Sequence, residues 1–189
     1  KLGSAMGLES DKVIITTIQE AVSQITSVGV DVQGQWTLRN AIQMSEWLHD
    51  RDIKHLQQPL PKGHESDLIK LYYVSPTPIF VSESCFTSHD IPALSDRVHG
   101  ITIRLNTCGG ITEAIRMIHT ARSHGLKIML SGESGSTLTN TALAHLSPLV
   151  DQINLSHLST FKTDPFIGAT IQSGGLIPND RPGLGVSFR

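Results

Sequence analysis

Six short apolar runs punctuate this chain of 189 residues, and each stops on a polar residue. Val28 to Val30 stops at Asp31, Ile53 to Leu56 at Gln57, and Pro78 to Val81 at Ser82 and Glu83. Ile101 to Ile103 stops at Arg104, Leu126 to Leu130 at Ser131-Gly132-Glu133, and Val150 to Ile153 at Asn154-Leu155-Ser156. Between the runs, apolar residues recur at the three- and four-residue spacing of amphipathic helices. Ile14, Ile18, Ala21, Val22 and Ile25 predict a helix over Asp11–Thr26 with that face inward. Thr37 predicts the cap of a second helix, which carries Leu38, Ala41, Ile42, Ser45 and Leu48. Further helices are predicted over His64–Tyr73, Asp90–Val98, Thr112–Ser123 and Ser136–Leu146, the third of these closed by Gly125.

Strict alternation of short apolar strands and helices, with short connections, means parallel strands wrapped by helices, an α/β fold. A doubly wound sheet would place a glycine-rich turn at one switch point, and none is present. Polar residues at all six strand ends instead match the rim of a (β/α) barrel. A complete barrel has eight strands and about 250 residues. The expectation is therefore an incomplete TIM-like barrel over residues 1–159, with 1–7 readable either as a linker or as a strand stub. Residues 160–189, with Gly174-Gly175, Pro178-Asn179-Asp180 and Pro182-Gly183-Leu184-Gly185, predict a segment of turns and short extended pieces outside the barrel.

Composition narrows the function classes. A net charge of -2 with 15 Lys plus Arg, and no basic run, excludes an electropositive surface for nucleic acid or anionic membrane. No apolar run approaches the ~20 residues of a membrane span, and no signal peptide opens the sequence, so the cytoplasm is the expected compartment. Two cysteines, Cys85 and Cys108, are expected to be reduced packing residues. The nine histidines show no metal-binding spacing. Of those near strand ends, His55 and His157 are expected to be hydrogen-bonded structural groups, and Trp36 is expected to pack.

Several segments resemble a known family. Asp31-Val32-Gln33-Gly34-Gln35-Trp36 is similar to a D-x-N-x-x-W motif, Leu56-Gln57-Gln58-Pro59-Leu60-Pro61 to E-Q-P-L, and Ser82-Glu83-Ser84 to D-E-S. Ile103-Arg104-Leu105-Asn106-Thr107-Cys108-Gly109-Gly110-Ile111 resembles I-K-L-x-K-x-G-G-I, and the closing glycines and prolines resemble a G-G…P-G-L-G return strand. These motifs, in this order, are those of the enolase superfamily, in its muconate-lactonising and L-Ala-D/L-Glu (dipeptide) epimerase branch. The resemblance implies the C-terminal barrel domain, without the family's N-terminal capping domain and first β/α unit.

It also implies a chemistry. In the family three carboxylates at successive strand ends hold Mg²⁺, which neutralises an enediolate formed when a lysine removes the proton next to a substrate carboxylate. Asp31 matches the first metal ligand, Gln57 stands for the second and Ser82 for the third, with Glu83 able to substitute. Arg104 stands for the base of the sixth strand, and Lys1 for the other lysine. Asn154 and Ser156 replace a D-x-D that holds the substrate's ammonium. The family's seventh-strand glutamate falls at Gly135 or at Glu133.

Mg²⁺ wants anionic oxygen ligands, and these positions supply one carboxylate where the family has three. A guanidinium stays protonated and binds carboxylates but does not serve as a general base. Arg104 is expected to pair with Glu83 or Asp31. Two functions follow from the resemblance. One is a relative with a degraded Mg²⁺ and lysine site, impaired or non-catalytic, that binds a carboxylate ligand. The other is an active isomerase, a dipeptide or amino-acid epimerase or racemase, with an altered metal site. The expected partner is a small carboxylate or dipeptide-like ligand, with a second chain supplying missing strands and cap as a further expectation.

Overall fold

The computed structural model describes residues 2, 7–22, 27–132, 135–155, 163–173 and 175–189. Helices α1 (Leu8–Ala21), α2 (Leu38–His49), α3 (Glu65–Val74) and the one-turn α4 (Ile91–Leu94) alternate with strands β1 (Val30–Asp31), β2 (Leu56–Gln57) and β3 (Ile79–Val81). The alternation continues through β4 (Gly100–Ile103), the one-turn α5 (Leu105–Cys108), α6 (Ile111–Ser123), β5 (Lys127–Ser131), α7 (Thr137–Leu146) and β6 (Gln152–Asn154). These strands lie in one sheet in chain order, β1 to β6, a parallel half-barrel of the α/β class. The chain divides into two compact units, residues 1–85 with 92–101, and residues 86–91 with 102–189.

In the first unit Val30 pairs with Leu56 and Asp31 with Gln57, while Leu56 and Gln57 pair onward with Ile79 and Phe80. Both residues of β2 and all three of β3 are buried, as parallel strands covered on both faces require. β1 and β2 reach one residue further toward the C-terminus than their apolar runs. β2 covers Leu56–Gln57 where the sequence predicts Ile53–Leu56, because ladder bonds continue past the apolar run: Val32 N–H donates to Gln57 O at 3.0 Å and Gln58 N–H to Phe80 O at 2.8 Å. Polar Gln57 is thus part of its strand rather than the residue after it.

Helix α2 forms as expected. Thr37 Oγ1 accepts from Asn40 N–H at 3.2 Å, and Ala41, Met44, Ser45 and Leu48 make one buried face. Helix α1 is oriented against expectation: it buries Asp11 and Ile15, while Ile14 and Ile18 are 36 % and 42 % exposed. The cause is a polar pair. Trp36, 3 % exposed, donates its indole N–H to Asp11 Oδ2 at 3.0 Å, which turns the Asp11 side of the helix inward. The helix also ends at Ala21; residues 23–26 of the predicted span lie outside the described residues.

A half-buried polar contact in this unit titrates. His99 stacks on Tyr72 with ring centroids 4.6 Å apart, and its Nδ1 accepts from Ile79 N–H at 3.1 Å. Burial holds His99 below the ordinary histidine value of 6.5, and protonating Nδ1 removes the acceptor. The unfolded chain therefore binds the proton more readily, so this contribution to stability is intact above about pH 6.5 and is lost as pH falls below it. Urea unfolding between pH 7.5 and 5 is expected to show this fall, and H99N, which cannot titrate, to show a shallower one in that window.

The second unit is built on α6, whose Ala114, Met117, Ile118 and Ala121 are buried. Gly125 follows with φ +71°, the left-handed turn the sequence assigns it. β5 and β6 pair from Met129 with Gln152 to Ser131 with Asn154. The helix expected over Asp90–Val98 is a single turn, and α5 is a turn the sequence does not signal. Cys85 and Cys108 are buried, each within its own unit, and burial pushes the Cys108 thiol up.

The tail carries β7 (Phe166–Ile167), β8 (Thr170–Gln172), β9 (Gly175–Ile177) and β10 (Ser187–Phe188), paired antiparallel as β10 with β7 and β8 with β9. It packs on α7. Asp164 accepts from Thr137 N–H and Oγ1 at 2.5 and 2.7 Å, capping the helix from across the chain, while Ala169 N–H donates to Thr141 Oγ1 at 2.8 Å.

Candidate active-site rim

At the C-terminal ends of the first unit's strands stand Asp31, Gln57, Ser82 and Glu83. Register alone places Asp31 beside Gln57 on neighbouring strands. Asp31 Oδ1 accepts from Gln33 N–H at 3.1 Å, a local turn that Gln33 completes at φ 56°. The Asp31 carbonyl accepts from Leu2 N–H at 2.7 Å, so the edge of β1 carries the buried Leu2. Gln57 and Ser82, both buried, face each other: Gln57 Nε2 lies 3.5 Å from Ser82 Oγ, a long contact. The Ser82 hydroxyl in turn donates to the Glu83 carboxylate. A directed chain thus runs from amide through hydroxyl to carboxylate.

The loops around this chain are held by Gln58, a residue that the pattern of run ends does not single out. Gln58 is 1 % exposed, has φ 42°, and uses its carboxamide on Ser82, Ser84 and Leu60. Its signal was the unusual buried pair Gln57-Gln58 in front of Pro59. Gly34 fits the same region because a Cβ there would stand 3.1 Å from Pro61 Cα, and its φ of +73° favours glycine. Glu65, at the start of α3, is held below the ordinary carboxylate range. Burial opposes this, and the Gly63 amide and Ser84 hydroxyl outweigh it.

In the second unit Arg104 follows β4, and its carbonyl accepts from Thr107 and Cys108 N–H at 3.1 and 3.0 Å, opening α5. Asn154 ends β6, pairs with Ser131, and its carbonyl accepts from Gly132 N–H at 2.8 Å. Lys1, Glu133, Ser156 and His157 lie outside the described residues. His55 sits before β2, tilted against Phe80 at 5.4 Å, with its Nδ1 buried and without a hydrogen-bond partner among the described residues. It is a packing group rather than the hydrogen-bonded one expected. Among the described residues, no three His, Cys, Asp or Glu side chains converge as a metal-binding group, and no helix is long and apolar enough to cross a membrane.

Sequence and structure comparisons identify the frame. The model of the enolase C-terminal domain-like family matches residues 1–189. The chain belongs to this family. A hydrophobic dipeptide epimerase of a Flavobacteria bacterium is 38 % identical over 190 residues, which is all of this chain and 54 % of the relative. A hydrophobic dipeptide epimerase of Roseobacter litoralis is 39 % identical over 186 residues, 98 % of this chain and 54 % of the relative. Among solved structures, the dipeptide epimerase of Cytophaga hutchinsonii, complexed with Mg and D-Ala-L-Val, superposes with a TM-score of 0.92 at 26 % identity, over 100 % of this chain and 53 % of that one. That of Enterococcus faecalis, complexed with Mg and L-Leu-L-Tyr, gives 0.91 at 28 % identity, over 99 % and 55 %. The chain spans about half the length of the curated relatives it matches. Mg²⁺ is therefore an ion this enolase-type family handles, and dipeptides are ligands of its relatives.

Proposed function

We propose that the chain is the barrel half of a dipeptide-epimerase-like protein that holds a small carboxylate or dipeptide-like ligand without metal-assisted proton abstraction. The observation that carries this reading is the donor set at the ends of β1, β2 and β3. Mg²⁺ demands near-octahedral, largely anionic oxygen ligation at about 2.0–2.1 Å. Asp31, Gln57 and Ser82 offer one carboxylate, one amide and one hydroxyl, and the amide and hydroxyl are turned toward each other with the hydroxyl proton directed at Glu83. These residues do not fit a tight Mg²⁺ site. Glu83 is the carboxylate that could substitute, at the cost of its bond from Ser82.

The rest of the proposed site follows the same logic. Arg104 is a fixed cation that suits a ligand carboxylate and is unsuited to removing a proton. Asn154, Ser156 and Glu133 are proposed on the ligand's side, and Lys1 as a family lysine position. A second reading, an active epimerase or racemase with an altered metal site, is favoured by one observation: relatives at 38 % and 39 % identity are named hydrophobic dipeptide epimerases.

Calorimetric titration of Mg²⁺ at neutral pH separates the two. The expected result is no binding in the millimolar range. Binding at that affinity or tighter, abolished by D31A, would overturn the proposal. It would also call for incubating L-Leu-L-Tyr in D₂O and looking for deuterium at the α-carbon.

A further inference from the structure

We infer that Gln58 is a positioning residue, which sets the ligand-facing geometry of Ser82 and Glu83 from the neighbouring strand. Every hydrogen-bonding valence of its side chain is used. Oε1 accepts from Ser82 N–H at 3.0 Å and from Ser84 N–H at 3.3 Å, while Nε2 donates to Leu60 O at 2.8 Å and to Ser84 Oγ at 2.9 Å. A carboxamide has two acceptor and two donor sites, so the residue is saturated.

Its backbone is equally committed. Gln58 N–H donates to Phe80 O at 2.8 Å, and Gln58 O accepts from Gly34 N–H at 2.7 Å. One residue therefore ties together the loops that follow β1, β2 and β3. Three features show that this arrangement is specified rather than incidental. The side chain is almost wholly buried, where an unsatisfied amide is costly. The left-handed backbone at φ 42°, uncommon for a residue with a Cβ, ends β2 immediately after Gln57. Gly34, whose φ of +73° favours glycine and where a Cβ would be tight against Pro61 and Leu60, lets the β1 loop come close enough to reach the Gln58 carbonyl.

The consequence concerns Ser82. With its amide anchored on Gln58, the Ser82 hydroxyl is left to meet Gln57 and Glu83, and with Ser84 anchored on both sides, Glu83 is confined between two fixed residues. This inference rests on the proposal that a small carboxylate or dipeptide-like ligand binds at this rim, but the anchoring itself does not, and the test separates the two.

Amide hydrogen exchange is measured for wild type and Q58L, with the Leu56 amide, bonded to Pro78 O at 2.8 Å, as the internal reference. The Ser82 and Ser84 amides are expected to exchange about tenfold faster in Q58L while Leu56 is unchanged. Equal acceleration at all three, or none at Ser82 and Ser84, would overturn the positioning role. Should Q58L fail to fold, S84A removes the Ser84 hydroxyl alone; faster exchange at Ser82 supports the role and unchanged exchange overturns it. The second arm titrates L-Leu-L-Tyr. Where wild type binds it, Q58L is expected to bind about tenfold more weakly, and equal affinity counts against positioning. Where wild type does not bind, the ligand proposal fails and the exchange result still decides the role of Gln58.

Discussion

Replacing Gln57 by Glu and Ser82 by Asp together is expected to raise Mg²⁺ affinity by about 100-fold, roughly tenfold for each carboxylate added. The backbone is already suited to it: Asp31 and Gln57 are in register, and the Ser82 amide is anchored on Gln58. Two unit charges 4 Å apart attract by about 4 kcal/mol at an effective dielectric near 20, so a tenfold gain requires that only about a third of that survive desolvation. Calorimetric titration of Q57E/S82D measures it directly. Loss of the gained affinity on adding D31A would locate the ion at the strand ends. Unchanged affinity in Q57E/S82D would mean that these two side chains are not what limits Mg²⁺ binding at the strand ends.

The largest expected loss of stability comes from W36A. Trp36 is 3 % exposed, and truncating a buried aromatic typically costs about 3–5 kcal/mol. W36F keeps most of the volume and removes only the indole donor to the buried Asp11, so about 1–3 kcal/mol is expected. Urea unfolding of the two variants divides packing from hydrogen bonding. Similar losses in both would place the stabilisation in the Asp11 bond and not in the ring. The Trp36 backbone N–H, which both variants keep, donates to Pro59 O at 3.2 Å and holds the residue in the loop cluster beside the rim.

The alternation of helix and strand was legible because burial on both faces of a parallel sheet leaves short apolar runs that polar, helix-spaced segments interrupt. Asp31, Gln57, Ser82, Arg104 and Asn154 could all be picked out by their places at run ends. Periodicity could not supply the orientation of α1. Counting apolar residues put Ile14 and Ile18 inside, whereas a buried Asp11 and Ile15 define the inner face. A carboxylate carries no weight in a hydrophobic pattern, and its partner Trp36 is far away in sequence. Gln58 escaped for a related reason. Its role depends on two amides of another strand's loop, a contact that no local spacing encodes. His55 was misjudged because a histidine's surroundings, here Phe80 and the bare Cα of Gly29, are set by neighbouring strands.

The Gln57–Ser82–Glu83 chain also bears on how such a rim changes over time. Q57E alone would aim a second acceptor at a hydroxyl whose proton already serves Glu83, and S82D alone would set two carboxylates side by side. Each single replacement then works against the hydrogen bonds already in place, so the two positions are energetically coupled. The hydrogen bonds that join the strand ends therefore resist change at one position at a time.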